Sequence, residues 1–309
     1  MKKLAAAVEC DNKLLAAADV TDLPLVVIVG PTASGKTELA IRIAKKFNGE
    51  VISADSRAIY RGLDVGTAKP TSEEQQGIAH WGIDIADPGE RFTAANFKVY
   101  AQRKISEIRS RGHLPIIAGG TGLYIDSVLY DFKFTAYSNN LNERRKLENK
   151  SLEQLVYYCE KNNIKLPKNI KNKRHIVSAI LRKGENPLKN DKIISNTILV
   201  GIATDRDILR SRIEERAKSI VSNTTINEAI RAAEKWGWYN EAMTGNVYPL
   251  IEQYLDGTIN EIELERKLCV LDCRLAKRQL TWLRRNKDIK WFSIDEAWIY
   301  IVNNLDKSS

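Results

Sequence analysis

The sequence predicts an α/β protein in which a parallel β-sheet is flanked by helices and interrupted by an all-helical insertion. Three observations indicate this fold class. Short apolar runs alternate with segments of helical periodicity from residue 25 onward, which is typical of parallel strands joined by helices. A glycine-rich loop follows the first apolar run, and a strongly basic segment separates the two parts of the alternation.

The elements can be assigned in order along the chain. In the first half of the chain, predicted strands and helices alternate. After the basic segment another apolar run predicts a strand, and it ends just before Asp205, a residue suited to cap a helix. The predicted elements are a strand at 25–29, a helix at 37–47, a strand at 50–53, a helix at 94–111, strands at 114–118 and 197–202, and helices from there to about residue 286.

The glycine-rich loop has the spacing Gly-x4-Gly-Lys-Thr and lies between a strand and a helix. In that context consecutive backbone N–H groups and a helix N-terminus surround phosphate oxygens, a lysine adds mobile charge and a threonine hydroxyl can ligate Mg²⁺. The loop therefore predicts a P-loop NTPase-like sheet that binds a diphosphate, with Thr37 at the metal. The diphosphate-binding residues would be Gly30, Pro31, Thr32, Ala33, Ser34, Gly35, Lys36 and Thr37.

Composition restricts the class of protein further. The chain has 309 residues, 43% of them apolar, so it can bury a large core. It contains no stretch of the roughly 20 apolar residues that a membrane helix needs. We therefore expect a soluble, cytoplasmic monomer without a membrane partner. Four scattered cysteines indicate free thiols rather than a disulfide framework or a zinc site.

The charge is unevenly distributed. The chain carries a net charge of +9, and residues 142–192 contain fourteen Lys or Arg against six acids. Such a concentration favours a polyanionic partner over an ordinary solvated surface. We predict an N-terminal extension at 1–23, a catalytic core at 24–137 and 193–309 with C-terminal helices, and a helical basic insertion at 138–192.

Asp55 is the only strand-end acid near the phosphate-binding loop, because the strand at 114–118 runs into Gly119-Gly120-Thr121-Gly122. Motor proteins and GTPases generally use a second strand-end carboxylate to hold Mg²⁺ and orient water. The sequence therefore favours group transfer. On spacing alone, Asp55 fits a helix N-cap as well as a catalytic base.

Five motifs taken together resemble the tRNA dimethylallyltransferases over residues 24 to about 290, in the order found in that family. They are the phosphate-binding loop, Asp55-Ser56-Arg57-Ala58-Ile59-Tyr60-Arg61-Gly62-Leu63-Asp64-Val65-Gly66-Thr67-Ala68-Lys69-Pro70, Ile83-Asp84-Ile85-Ala86-Asp87-Pro88, Gly119-Gly120-Thr121-Gly122-Leu123-Tyr124, and Ala276-Lys277-Arg278-Gln279-Leu280-Thr281-Trp282.

The resemblance implies transfer of a dimethylallyl group from dimethylallyl diphosphate to N6 of adenine 37, in tRNAs that read codons beginning with U. It implies that Asp55 accepts the amine proton, that Thr121 lies at the reaction centre, and that Lys36 and Mg²⁺ stabilise the leaving diphosphate. An arginine of Arg212-Ile213-Glu214-Glu215-Arg216 would help hold the diphosphate. The sequence does not separate Arg212 from Arg216, and a solvated helix surface is the alternative for both.

The resemblance also implies contacts with the anticodon stem-loop of tRNA. The cationic side of the predicted helix over 274–285 would hold phosphates nearby. The implied tRNA-binding residues are Asp55, Ser56, Arg57, Ala58, Thr121, Arg144, Asn172, Lys173, Arg174, His175 and Ile176, together with Lys277 and Arg278.

Three other functions remain open at this point. An adenylate isopentenyltransferase would share the loop and Asp55 but act on free AMP, ADP or ATP, and would need neither the basic insertion nor the motif at 276–282. A small-molecule kinase would consume ATP without a prenyl donor. A catalytically inactive RNA-binding relative would explain departures from the family's pattern at Ala58, Ser178 and Val247.

Overall fold

The computed structural model describes residues 23–134, 141–185 and 187–307. They form two compact units, of which the second is Tyr130–Ile193 and the first contains the described residues on either side of it. Residues 1–22, with most of the predicted N-terminal extension and Cys10, lie outside the described part. The second unit begins several residues earlier than the insertion predicted from charge.

The first unit is built on a six-stranded parallel sheet with the order β3-β2-β4-β1-β5-β6. The register pairs Val29 of β1 with Gly119 of β4, and Ala54 of β2 with the same Gly119. The segments that follow β1, β2 and β4 therefore emerge at one edge. The strands are β1 (Leu25–Val29), β2 (Gly49–Ala54), β3 (His80–Trp81), β4 (Leu114–Gly119), β5 (Thr197–Ile202) and β6 (Lys290–Phe292).

Helices surround this sheet, and among the described residues of the second unit the regular elements are all helices. Most begin at a side chain that accepts a hydrogen bond from the first turn, as Thr93, Asp205 and Ser293 do. The α-helices are α1 (Lys36–Phe47), α2 (Ser72–Gln75), α3 (Ala94–Ser110), α4 (Gly122–Leu129), α5 (Leu141–Glu148), α6 (Leu152–Lys161), α7 (Lys173–Leu181), α8 (Arg206–Ile220), α9 (Asn223–Trp236), α10 (Tyr248–Leu255), α11 (Glu261–Leu283) and α12 (Ile294–Leu305).

The structure confirms the α/β fold class and corrects it in detail. The predicted strands and helices are present within a residue or two of their bounds. Strands β3 and β6 and helices α2, α4 and α12 were not predicted. Strands of two and three residues are too short to show an alternating pattern in the sequence. They form because their backbone groups hydrogen-bond to those of a neighbouring strand.

Two of the apolar clusters among the described residues of the first unit position the sheet and the segment that follows β2. One lies between the sheet, α1 and α12, and includes Ile28, Leu39, Ile116 and Ile301. The other lies under the segment that follows β2 and packs Leu63 and Tyr248 against residues of α8 to α11. The β1 side chains are completely buried, as expected for the centre of a parallel sheet covered on both faces.

The second unit has its own small core. Leu155 and Cys159 of α6 pack against α7 residues that include Ile176 and Val177. The sequence predicted this helix from the spacing of Leu152, Leu155, Val156 and Cys159, and the burial of Leu155 and Cys159 confirms that face. Within the described residues of both units, every helix is too short or too polar to cross a bilayer.

Candidate active site

The phosphate-binding loop, residues 30–37, borders a cavity of about 670 Å³ in the first unit. Residues 32–37 line it together with the segments that follow β2 and β4 and with parts of α8 and α11. The loop turns into α1 at Gly35, whose φ of 84° is in the left-handed region that glycine adopts without strain. The cavity is thus located at the carboxyl edge of the sheet, where parallel α/β proteins bind ligands.

Lys36 is half-buried beside this loop. Its ammonium donates a hydrogen bond to the Pro31 carbonyl at 2.5 Å. Burial lowers the pKa of Lys36 to about 8; the Asp55 carboxylate opposes this shift, and the nearby Arg216 adds to it. A negative charge brought close to this ammonium would raise its pKa again, so an anion in the loop would favour the protonated lysine.

Asp55 and Thr121 line the same cavity from the ends of β2 and β4. Asp55 Oδ1 accepts the Arg57 backbone N–H at 2.8 Å, and Thr121 Oγ1 accepts the Ser56 backbone N–H at 3.1 Å. Because residues 56–59 form turns rather than a helix, the N-cap alternative for Asp55 is wrong. The structure therefore brings the predicted base and the predicted reaction-centre hydroxyl to one short stretch of the cavity wall.

The two arginines that the sequence left unresolved are placed differently. Arg216 lines the cavity and donates a hydrogen bond to the Thr32 hydroxyl in the loop. Arg212, one turn earlier in α8, is exposed and is not among the cavity-lining residues; its guanidinium lies 3.8 Å from the point where a Gly35 Cβ would stand. Arg216 is thus the one that reaches the cavity.

Two polar atoms beside the loop have no partner among the described residues. They are the hydroxyl of Ser34, a residue with 0% exposure, and Nε of Arg216. A buried donor without a partner costs free energy. The pair, together with Lys36, forms a set of donors suited to an anion.

Gln279 holds the loop from α11, and sequence reasoning gave it no role. Its Oε1 accepts the Thr32 backbone N–H at 2.8 Å. A Cβ at Gly120 would lie 2.4 Å from Gln279 Nε2, so the glycine after β4 leaves room for this side chain. The available signal was the motif at 276–282, in which only Lys277 and Arg278 were assigned.

A second contact missed from sequence supports the wall beside Asp55. Glu228 of α9 is 5% exposed, and its carboxylate accepts the backbone N–H groups of residues 64, 65 and 66 at 2.6, 2.9 and 3.0 Å. The Tyr248 hydroxyl donates to the same carboxylate at 2.8 Å. This anchor fixes the segment that contributes Gly66 to the cavity wall.

The remaining predicted tRNA-contact residues fall in two places. In the first unit, Ser56, Arg57, Ala58 and Arg278 line the cavity, and Lys277 is exposed on α11.

The second unit contains the other predicted tRNA-contact residues. There Arg144 forms an ion pair with Glu148, while its Nη1 is buried without a partner among the described residues. Asn172 caps α7, Lys173 is half-buried, and Arg174 and His175 are exposed.

Ile176 requires a correction. Its side chain is fully buried in the core of the second unit. It supports α7 from inside, because an apolar side chain with no exposed surface has nothing to offer a phosphate or a base.

Comparison with known proteins matches these features to one family. The family model described as IPP transferase matches residues 58–286, and a second model, isopentenyl transferase, matches residues 23–87. The chain is 38% identical over 290 residues to a tRNA dimethylallyltransferase of Staphylococcus epidermidis, covering 87% of this chain and 86% of that protein. The chain belongs to the tRNA dimethylallyltransferase family.

Further relatives agree in length and in fold. A tRNA dimethylallyltransferase of Acetivibrio thermocellus is 39% identical over 288 residues, which cover 88% of this chain and 92% of that protein. The crystal structure of the full-length tRNA isopentenylpyrophosphate transferase from Bacillus halodurans superposes with a TM-score of 0.70 at 34% identity, covering 92% of this chain and 97% of that one. The family match includes the basic segment and the motif at 276–282.

Proposed function

We propose that this protein transfers the dimethylallyl group of dimethylallyl diphosphate to N6 of adenine 37, in tRNAs that read codons beginning with U. The observation that carries the proposal is a single cavity lined by the phosphate-binding loop, Asp55, Thr121 and Arg216. Family membership supports the same reaction. We further propose that the protein acts as a monomer in the cytoplasm, as expected from its sequence.

The loop would bind the diphosphate of the donor. Its unpartnered donors, Ser34 Oγ and Arg216 Nε, match the acceptor oxygens of a diphosphate. The Lys36 ammonium donates to a carbonyl of the loop itself and can turn to a phosphate oxygen. As the C1–O bond of dimethylallyl diphosphate breaks, negative charge grows on the diphosphate. The fixed hydrogen-bond donors of the loop therefore stabilise the transition state more strongly than the ground state.

Asp55 would act as the base. The lone pair of an adenine N6 is delocalised into the ring, so attack on C1 of the donor requires removal of an amine proton as the N–C bond forms. Asp55 accepts one backbone N–H through Oδ1, which orients the carboxylate while leaving capacity for a proton. The proton moves from N6 to Asp55, and the bond electrons leave with the diphosphate.

Thr121 would hold the geometry at the reaction centre. Its hydroxyl oxygen accepts the Ser56 N–H, and its own backbone N–H donates to the Ala54 carbonyl at 3.1 Å. Because the hydroxyl acts here as an acceptor, its own proton remains free to donate to the prenyl donor or to the adenine. This arrangement fixes the ends of β2 and β4 relative to each other.

The oxygen ligands at the loop fit Mg²⁺. Thr37 presents an exposed hydroxyl at the cavity, and no group of three or more His, Cys, Asp or Glu side chains among the described residues is arranged to hold a metal. This is the pattern of a magnesium ion held mainly by substrate phosphates and water, with one or two protein oxygens. When bound, Mg²⁺ would neutralise the charge of the leaving diphosphate.

The acceptor would be bound through its backbone. Adenine N6 is inaccessible within a stacked anticodon loop, so the base must be turned out while the flanking phosphates are held. The exposed cations of α11 would provide positive charge for this, and the second unit has further basic side chains, Arg144 and Arg174, with His175 exposed beside them.

The test uses the purified full chain with Mg²⁺, dimethylallyl diphosphate and unmodified tRNA containing A36-A37-A38, followed by ribonuclease digestion and mass analysis of the oligonucleotide fragments, which locates the modified base. We expect N6-dimethylallyladenosine at position 37 only. A parallel reaction with AMP in place of tRNA should give no product. Prenylated AMP without prenylated tRNA would reject the proposal.

A further inference from the structure

Part of the cavity wall is formed by one side of α11. Gln279, Leu275, Asp272 and Leu268 all line it, and their spacing of three or four residues puts them on one helical face. Gln279 marks the end at the phosphate-binding loop, because it accepts the Thr32 N–H. With a rise of 1.5 Å per residue, Asp272 lies about 10 Å farther along the helix axis.

The wall around Asp272 is apolar. Val247 and Leu268 are 1% exposed and Ile220 is 3% exposed, and all three border the cavity. Such a wall suits the hydrocarbon part of a prenyl donor whose diphosphate occupies the loop.

Within this apolar wall lies one polar pair. Asn246 Nδ2 donates to Asp272 Oδ1 at 2.7 Å, and Asp272 is only 5% exposed. Among the described residues this amide is the only hydrogen-bond donor to the Asp272 carboxylate. Glu228, equally buried, receives four donors in the same unit. A buried carboxylate with a single donor has unused acceptor capacity.

We propose that the Asn246–Asp272 pair binds the hydroxyl group of prenyl diphosphates that are hydroxylated at the end of the chain, and so determines donor preference. This inference rests on the proposed function. An extended chain advances about 1.2 Å per bond, so a terminal hydroxyl lies about 7 Å from the nearer phosphorus. A hydrogen bond adds about 2.8 Å, and the sum of about 10 Å is close to the rise of α11 between Gln279 and Asp272.

The hydroxyl takes no part in the chemistry. The C1–O bond to diphosphate breaks, the N6–C1 bond forms, Asp55 takes the amine proton, and the hydroxyl remains on the transferred group. Asp272 accepts its hydrogen bond throughout. A dimethylallyl donor has a methyl group in place of the hydroxymethyl group, so the carboxylate keeps its single hydrogen-bond donor. The transition state for transfer from this donor is therefore less stabilised than that for the hydroxylated donor.

The test compares kcat/KM for dimethylallyl diphosphate and for its terminally hydroxylated derivative, with the full chain, Mg²⁺ and unmodified tRNA. We expect wild type to favour the hydroxylated donor about tenfold or more. In Asn246→Leu and Asp272→Leu the ratio should fall at least tenfold. Asp272→Asn has nearly the same volume and should shift the ratio in the same direction if the larger change impairs folding. Asp306→Asn, on the exposed end of α12, is the matched control and should keep the wild-type ratio.

The outcomes separate the two proposals. No transfer from either donor would reject the proposed function. Transfer from dimethylallyl diphosphate with a wild-type ratio near one, or a ratio that Asp272→Asn leaves unmoved, would overturn this inference alone. An equal loss with both donors, accompanied by a raised KM for tRNA, would assign the pair to the acceptor base and also overturn it.

Discussion

Two charged regions at opposite edges of the same sheet differ in how completely their polar groups are paired. At the amino ends of β2 and β4, Glu50 is 6% exposed, and its carboxylate meets Trp81 Nε1 at 2.6 Å, the Arg111 guanidinium at 2.8 to 3.0 Å and His113 Nδ1 at 2.6 Å. At the carboxyl edge, Lys36 donates to a single carbonyl, and Ser34 Oγ and Arg216 Nε have no partner among the described residues.

The difference shows how a binding site can be told from a structural ion cluster. Burial raises the pKa of Glu50, but the hydrogen bonds from Trp81, His113 and Arg111 outweigh it and leave the pKa below its usual value. Burial lowers the pKa of Lys36 to about 8 without equivalent compensation. The first cluster is complete in itself, whereas the second keeps donors that an anion from outside would satisfy.

The largest effect should come from Asp55 at the incomplete site. We expect Asp55→Ala to slow prenyl transfer by about 10² to 10⁴, because N6 loses its proton acceptor. Single-turnover rates with saturating tRNA measure this, and tRNA affinity should stay near that of wild type. Asp306→Ala serves as a control on the surface. Turnover unchanged by Asp55→Ala would remove it as the base.

Glu50 tests the complete cluster. We expect Glu50→Gln to lower the free energy of unfolding by about 3 kcal/mol, since Arg111 and His113 lose their common anion. Urea titration measures the loss, and kcat/KM of the folded variant should stay within about twofold of wild type. Glu160→Gln, on the exposed side of α6, controls for charge. A large loss of activity at full stability would contradict the structural role.

The same cluster makes a prediction about acid. Because the folded-state pKa of Glu50 lies below its usual value of 4.5, its stabilising contribution is present above pH 4.5 and disappears as the pH falls through the folded-state pKa. The difference in unfolding free energy between wild type and Glu50→Gln should therefore shrink as the pH is lowered. A difference that is independent of pH would show that ionisation of Glu50 does not contribute.

Lys36 should give a smaller effect that depends on pH. Its pKa is about 8 in the free protein, and a bound diphosphate favours the charged form. Above pH 8, binding therefore requires uptake of a proton, and affinity for Mg²⁺-diphosphate should fall by up to about tenfold per pH unit. Titration calorimetry measures both affinity and proton uptake. Lys36→Arg stays charged, so it should lose this component of the pH dependence; the same pH profile in both proteins would reject the explanation.

Arg144 extends the comparison to the second unit, where it too has an unpartnered buried nitrogen. We expect Arg144→Ala to weaken tRNA binding a few-fold and to reduce the slope of log affinity against log salt by about 1. Arg103→Ala, in an exposed ion pair on α3, should leave the slope unchanged. An unaltered slope in Arg144→Ala would mean that this arginine contacts no phosphate.

Much of the fold was predictable because its signals are local. The apolar run of β1, the glycine and lysine spacing of the loop, and the cap at Asp205 each depend on neighbours in sequence. Strands β3 and β6 depend instead on pairing with β2 and β5. Helix α12 lies beyond the predicted end of the helical region, and it is stabilised by packing of Ala297 and Ile301 into the core beside the sheet.

By itself, the sequence predicted the phosphate-binding loop and the basic segment, and it put Asp55 and Thr121 just after two predicted strands. The roles proposed for Asp55 and Thr121 came from the resemblance to the family, because spacing alone does not distinguish a catalytic residue from a turn residue. Only the tertiary structure decided that Arg216 rather than Arg212 reaches the cavity, that Gln279 holds Thr32, and that Asn246 meets Asp272. The residues of these contacts are 184, 247 and 26 positions apart in the chain. No local pattern encodes such pairs, because they form only when packing of the sheet and helices brings distant side chains within hydrogen-bonding distance.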